Sequence, residues 1–294
     1  MTDNRRLRIG FIPLVDAAAL IVAVDRGFAA AEGLDIELVR EVSWSNIRDK
    51  LNIGMFDAAH LLAPVAIASS LGIGHVKVPI IAPFNLGLNG NAITVTNALQ
   101  KALQDKAVGS LADPKVSARA LFAIVTERKA KGLPPLRFGM TFPFSTHNYQ
   151  LRFWMASAGV DPDEDVQMVV LPPPFMVESI KNGHVDAFCV GAPWNSVAVD
   201  LGIGHILHFV SEILQRAAEK VLAMRASWAA ENEGALHALM RAHRKAAGFI
   251  ENEANRDEVS RILSAPHRLN VAPEITRRTL DGRLKVSPEG KYRE

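Results

Sequence analysis

The chain has 294 residues, with 33 Lys and Arg against 31 Asp and Glu (formal net charge +2), and is 49% hydrophobic and 22% charged. That length accommodates two ordinary domains, each with its own core, and the near-neutral charge argues against an extended nucleic-acid or anionic-membrane surface. A single cysteine, Cys189, excludes an internal disulfide framework and a cysteine-rich zinc site, and every apolar stretch is broken by Asp, Pro, His or Gly too early to span a membrane.

After Met1 to Arg6 the chain goes directly into Leu7-Arg8-Ile9-Gly10-Phe11-Ile12, which reads as a first strand. No apolar leader region precedes it, so a cytoplasmic protein is expected, or a periplasmic one if a leader has been removed. The pattern then predicts a loop over Pro13 to Asp16, a helix over 17–30 ended near Gly33, a strand over 35–40, a helix over 45–53 and a strand over 57–62. Ala63-Pro64 places proline at the start of a further helix, which stops at the Leu71-Gly72-Ile73-Gly74 turn before a strand over 75–82. The segment 80–110 is expected to cross into a second domain.

A second copy of the same series follows. Leu7-Arg8-Ile9-Gly10-Phe11 is echoed 129 residues on by Leu136-Arg137-Phe138-Gly139-Met140, and Gly54, Asp57-Ala58 and Ala63-Pro64 recur at that offset as Gly183, Asp186-Ala187 and Ala192-Pro193. Leu71-Gly72-Ile73-Gly74-His75 returns as Leu201-Gly202-Ile203-Gly204-His205, one residue later. The predicted strands are 136–142, 166–171, 186–190 and 205–210, with helices over 147–158 and 175–182. Strand alternating with helix implies parallel sheets covered on both faces.

Two such units make a two-lobed α/β chain in which each lobe is a doubly wound, mostly parallel sheet. The expected division is residues 1–95 plus 195–294 against residues 96–194. Ligands of open α/β sheets lie beyond the carboxyl ends of the strands, so the matching loops of both copies are expected to face one cleft that shuts on a ligand.

Several catalytic signatures are absent: no P-loop, no H-E-x-x-H and no G-x-S-x-G occurs, and the two Gly-Ile-Gly turns precede strands instead of opening helices. No metal or cofactor is expected. Cys189, between Phe188 and Val190, reads as a small buried hydrophobe. In Thr141-Phe142-Pro143-Phe144-Ser145-Thr146-His147-Asn148, Ser145 or Thr146 can cap a helix and His147 can add a donor, which suits an anion; the same residues equally suit a plain cap with a surface histidine. Trp44, after the second strand, either walls a pocket with its indole N–H as donor or simply packs. Asn91, in Asn89-Gly90-Asn91, either offers an amide or sits in a turn. His60, His75, His184 and His205 show no ligand-like spacing and read as structural or exposed, and Pro172-Pro173-Pro174 reads as a rigid rim loop.

The segments Ser43-Trp44-Ser45-Asn46-Ile47-Arg48-Asp49, Asp57 to Pro64, Leu88-Asn89-Gly90-Asn91, Met140-Thr141-Phe142-Pro143, Thr146-His147 and Asp186 to Asn195 resemble the nitrate/bicarbonate-binding branch of the ABC-transporter solute receptors. The likeness covers about residues 7–290. It implies a periplasmic-binding-protein fold of type II and an oxyanion site lined by Trp44, Asn91, His147, Gly191 and Lys220. It also singles out Lys220, since the nitrate receptors carry a lysine there and the bicarbonate receptors an acid; otherwise Lys220 reads as an ordinary exposed lysine. An ammonium offsets the charge of a monovalent anion, whereas an acid would repel it or require a bridging cation. This chain departs from the pattern at Asn91, usually glutamine, at Asn148, usually aspartate, and at Ala192, usually glutamate. Members of the branch also tend to continue past the equivalent of Glu294, so a shortened C-terminus is expected.

With no export signal read, the resemblance runs closest to cytoplasmic nitrate/nitrite sensors, in which the ligand-free sensor holds an RNA-binding antitermination regulator and closure on the anion releases it. The alternative is the receptor of a nitrate or bicarbonate ABC importer. A pyrimidine-precursor synthase-like enzyme is disfavoured, because such enzymes need a cysteine-rich metal segment. The expected partners are thus a small inorganic anion and the regulator, with no direct nucleic acid and no membrane insertion.

Overall fold

A computed structural model describes residues 6–293. Met1–Arg5, which carry most of the segment on which the expected location rests, and Glu294, on which the expectation of a shortened end rests, lie outside the described residues.

In chain order, β1 (Leu7–Phe11), α1 (Ala18–Asp25), β2 (Ile36–Arg40), α2 (Trp44–Asn52), β3 (Ala58–Leu62), α3 (Ala63–Leu71) and β4 (Ile80–Leu88) open one unit. Then come β5 (Asn91–Thr96), α4 (Asn97–Lys106), α5 (Pro114–Ala130), β6 (Leu136–Met140), α6 (Thr146–Ala156), β7 (Val166–Val170), α7 (Met176–Lys181), β8 (Ala187–Gly191), α8 (Trp194–Asp200) and β9 (Gly204–Phe209). The chain returns as β10 (Ala218–Arg225), α9 (Ala226–Glu231), α10 (Glu233–Glu251), α11 (Arg256–Ser264) and α12 (Pro273–Asp281).

One unit runs through Leu88 and resumes over Ala218–Gly282; the other comprises Asn89–Ala217 and the segment from Arg283 onward. The expected division at 95 and 194 therefore gives way to changes after Leu88, Ala217 and Gly282. Sheet membership is the reason. Both β5 and β9 belong to the second sheet, and the terminal segment is tied to it where Ile206 N donates to Val286 O at 2.9 Å.

The two sheets have the same plan. Their orders are β2-β1-β3-β10-β4 and β7-β6-β8-β5-β9. In each, the first three strands are parallel, and the fourth pairs antiparallel with both neighbours. Each sheet is mixed: four of its five strands run in one direction, as expected, and only β10 or β5 runs against them. The central strands β3 and β8 are buried along their whole length, as expected when helices cover both faces.

The duplication extends to side chains. Asp57 accepts from Arg8 N at 2.8 Å, and Asp186 accepts from Arg137 N at 2.8 Å. Each carboxylate pins the start of its unit's β1-type strand to the turn before the third strand. Substituting alanine at Asp57 or Asp186 should cost about 1–3 kcal/mol in either unit, with Asn costing less because it retains an acceptor. Urea unfolding of the four variants checks this; an alanine variant as stable as the parent would contradict it.

Local differences from the predicted elements have identifiable causes. Helix α1 stops at Asp25, short of residue 30, because Gly27 turns the chain with φ +73°. The strand expected from 75 begins at Ile80, directly after Pro79, which has no N–H to give to a ladder. Pro64 lies in the first turn of α3 as expected, but Pro193 is the N-cap of α8, after a cis Ala192–Pro193 peptide.

Two buried histidines lie within these cores. His243, on α10, faces Phe84 with ring centroids 5.6 Å apart and donates from Nδ1 to Leu239 O at 2.9 Å. His208, on β9, has Nε2 2.6 Å from Ser117 Oγ and Nδ1 3.4 Å from Glu212. This row looks like a hydrolytic triad and is not arranged as one. The Ser117 hydroxyl donates to Pro114 O and accepts from Trp154 Nε1, and both Ser117 and His208 are fully buried.

Candidate functional site

In the unit carrying the first sheet, polar side chains gather at the carboxyl ends of β1, β2 and β3, where an open α/β sheet holds its ligand. Ser43 caps α2 by accepting from Asn46 N at 3.3 Å, which fixes Trp44 as the first residue of the helix. Trp44 is fully buried, and its ring lies edge-on to His60 at 5.2 Å between centroids. Its indole Nε1 finds no hydrogen-bond partner among the described residues. A buried indole N–H without an acceptor costs free energy, a cost that water or a bound acceptor relieves.

Lys220 lies near the start of β10, opposite Leu62 at the end of β3. It is not an exposed lysine: none of its surface is accessible. Its Nζ lies 2.9 Å from Asp16 Oδ2 and 3.6 Å from Glu219 Oε2. Adjacent residues of a regular strand point to opposite faces. Here the β10–β4 register shifts on both sides of Lys220, and such a bulge lets Glu219 and Lys220 share one interior.

Asp16 joins the group together. Its Oδ1 lies 2.9 Å from His60 Nε2, while His60 Nδ1 accepts from Ile12 N at 3.4 Å, which makes Nε2 the protonated nitrogen. Burial alone would raise the Asp16 carboxyl. The charge of Lys220, the polar N–H of His60 and the hydrogen bonds from both outweigh it and hold the carboxyl well below the usual carboxylate range. Lys220 therefore has a carboxylate already seated on its ammonium.

In the other unit, Asn91 opens β5 directly opposite Gly191, the last residue of β8. Asn91 is buried and donates from Nδ2 to Gln150 Oε1 at 3.1 Å. Ser145 caps α6, accepting from Asn148 N at 3.1 Å and donating to Phe142 O at 2.6 Å. That capping sets His147 in the first turn, buried, with Nδ1 3.1 Å from Thr141 Oγ1. His147 and Gln150 are three residues apart and so share a helix face. Within this unit Asn91, Gly191 and His147 thus converge through Gln150 and the β5–β8 ladder, and within the first unit Trp44 and Lys220 converge through His60 and Asp16. Thr146, the other capping candidate, is the first residue of α6. Cys189 is buried in mid-strand as expected.

Sequence reasoning missed Asp16, His60, Glu219 and Gln150. A signal existed for two of them: Asp16 follows β1 and His60 lies on β3, close to the ligand-bearing ends. Nothing local marked Glu219 or Gln150. Among the described residues no cluster suits a metal ion, and no helix is long and apolar enough to cross a membrane.

A family model described as NMT1-like matches residues 2–264. The chain is 35% identical over 275 residues to the nitrate/nitrite binding protein NrtA of Nostoc sp., covering 92% of this chain and 59% of that protein. It is 36% identical over 274 residues to the bicarbonate transport ATP-binding protein CmpC of Synechococcus elongatus, covering 92% of this chain and 39% of that one. The chain therefore spans less than two thirds of the length of either. Among solved structures, that of the periplasmic nitrate-binding protein NrtA from Synechocystis matches with a TM-score of 0.88 and 29% identity, over 98% of this chain and 73% of that one. The likeness to the alkanesulfonate-binding protein SsuA of Xanthomonas axonopodis (TM-score 0.68, 17% identity, over 94% of this chain and 83% of that one) bears on the fold alone. These likenesses agree with the observed fold: two lobes of the periplasmic-binding-protein kind, each a mixed α/β sheet.

Proposed function

Because the chain belongs to the NMT1-like family, we propose that it binds nitrate or nitrite as the solute receptor of an ABC importer. The observation that carries this reading is the pairing, in one unit, of a fully buried lysine with a buried indole N–H that has no acceptor among the described residues. An ammonium and a rigid N–H suit a small monovalent oxyanion better than a neutral or cationic solute. The five residues implied by the resemblance, Trp44, Asn91, His147, Gly191 and Lys220, are proposed as the anion's partners. The similarity to NrtA supports nitrate and nitrite, and a lysine at position 220 instead of an acid favours them over bicarbonate.

The relatives' names support the receptor role over the sensor role. The expectation of a cytoplasmic sensor rested on the segment before β1, and nothing in the described residues speaks for an antitermination regulator as partner. A thermal-shift screen with nitrate, nitrite, bicarbonate and sulfate tests the reading. Nitrate and nitrite should raise the melting temperature with rising anion concentration, since a ligand of the native state alone stabilises it; bicarbonate should not. No shift with nitrate or nitrite would remove the proposal.

Trp44→Phe separates the N–H from the ring. Losing a hydrogen bond to a charged partner should weaken nitrate binding about 10- to 100-fold. The ligand-free protein should be as stable as the parent or more so, since a buried unpaired donor has gone. Calorimetry and urea unfolding read the two effects; unchanged affinity would remove Trp44 from the site.

A further inference from the structure

The first unit's cluster sets two carboxylates against one ammonium. Asp16 lies 2.9 Å from Lys220 Nζ and Glu219 lies 3.6 Å from it, and Glu219 and Lys220 are wholly buried while the Asp16 side chain is 14% exposed. The third neighbour, His60, turns a protonated Nε2 toward Asp16 at 2.9 Å and is itself buried. Such an arrangement is poorly made for attracting charge as such. It is well made for limiting how much charge can enter.

We propose that Asp16 is a specificity-determining residue that fixes the charge limit of the oxyanion site, so that a monovalent oxyanion is admitted and a divalent one is refused. This rests on the reading above that Lys220 serves an oxyanion site. Asp16 acts through Lys220, offsetting its ammonium, and not by touching the reacting or bound atoms itself. A monovalent anion can be held by directed donors such as the Trp44 N–H and by what remains of the Lys220 charge. Doubling the anion's charge doubles its attraction to Lys220, but it also doubles its repulsion from Asp16 and Glu219. The desolvation cost of the anion rises more steeply still, with the square of its charge. The divalent anion therefore loses on both counts, while the monovalent one retains its hydrogen bonds.

The test is calorimetric titration of nitrate, sulfate and perchlorate into the full chain and its Asp16→Asn, Asp16→Glu and Glu219→Gln variants. Sulfate and perchlorate are similar tetrahedra that differ in charge, so they separate charge from shape. Asp16→Asn should lower the nitrate-to-sulfate affinity ratio by at least about tenfold through added sulfate binding, without a matching gain for perchlorate. Asp16→Glu should restore the ratio toward that of the parent, and Glu219→Gln should move it in the same direction as Asp16→Asn, which retains a readout if the Asp16 variant fails to fold. A ratio unchanged in Asp16→Asn or, failing that, in Glu219→Gln would overturn the inference. So would equal gains for sulfate and perchlorate, or loss of nitrate binding with no gain for sulfate. Absence of nitrate binding by the unsubstituted chain would remove the functional reading itself, whereas nitrate binding with an unmoved ratio would remove only the role of Asp16.

Discussion

Lys220→Glu is expected to abolish nitrate binding and to destabilise the fold by about 3–5 kcal/mol, the usual cost of breaking a buried ion pair by removing one partner. Lys220 is fully buried, with Asp16 at 2.9 Å and Glu219 at 3.6 Å. The substitution would bring a third carboxyl into that interior and remove the ammonium that lies against both of these carboxylates. They cannot all remain ionised at such distances, so protons must be taken up or the cluster must open. Either outcome places negative or neutral groups where a monovalent anion needs an ammonium. Lys220→Met separates the two consequences: it deletes the charge without adding another, and should weaken nitrate binding at least about 100-fold with a smaller loss of stability. Calorimetry with urea unfolding of both variants measures this. Parent-like nitrate binding by Lys220→Glu would exclude Lys220 from the site.

Acid should destabilise the two units separately, through one histidine in each. Burial pulls His243 down to about 4, with the hydrogen bond to Leu239 opposing it. Burial also pulls His208 down to about 4, with the Arg293 charge adding to the effect and Asp113 opposing it. In the unfolded chain both return to about 6.5. Between those values the unfolded chain binds more protons than the folded one, so stability falls as pH falls from about 6.5 to about 4 and is fully present above 6.5. Each histidine accounts for about 3 kcal/mol across that window. The lowered Asp16 carboxyl works in the same sense but at more acid pH, where its ion pair with Lys220 is lost. Urea midpoints measured from pH 7 to pH 4 should therefore drop steeply, and His243→Leu should flatten the share of the slope that belongs to its unit. A midpoint constant across that range would contradict the burial of these two rings as uncharged groups.

Much of the fold was legible because its elements are short, apolar and repeated. Leu7 to Phe11 and Leu136 to Met140 form the paired first strands, and the Asp57 and Asp186 carboxylates hold equivalent backbone groups. What escaped was non-local. Nothing in Asn91–Thr96 or Ala218–Arg225 tells a local reading which sheet the strand will join or in which direction, yet each fills the fourth place of a sheet whose other strands lie far off in the chain. The site divides in the same way. Ser43 and Ser145 are readable as caps, and they carry Trp44 and His147 into place with them. Lys220 was singled out only through the family resemblance, since its burial depends on a bulge in β10. Its partner Asp16 lies at the other end of the chain and could not be assigned to it without the fold.

A buried ammonium and a buried indole N–H equip this protein to hold a small monovalent oxyanion. Calorimetric titration of nitrate into the full chain, beside Lys220→Met, decides whether they do. A saturable, one-to-one heat in the parent that vanishes or weakens at least about 100-fold in the variant is the expected result. No heat of binding in a folded parent, or the same affinity in both proteins, would contradict it.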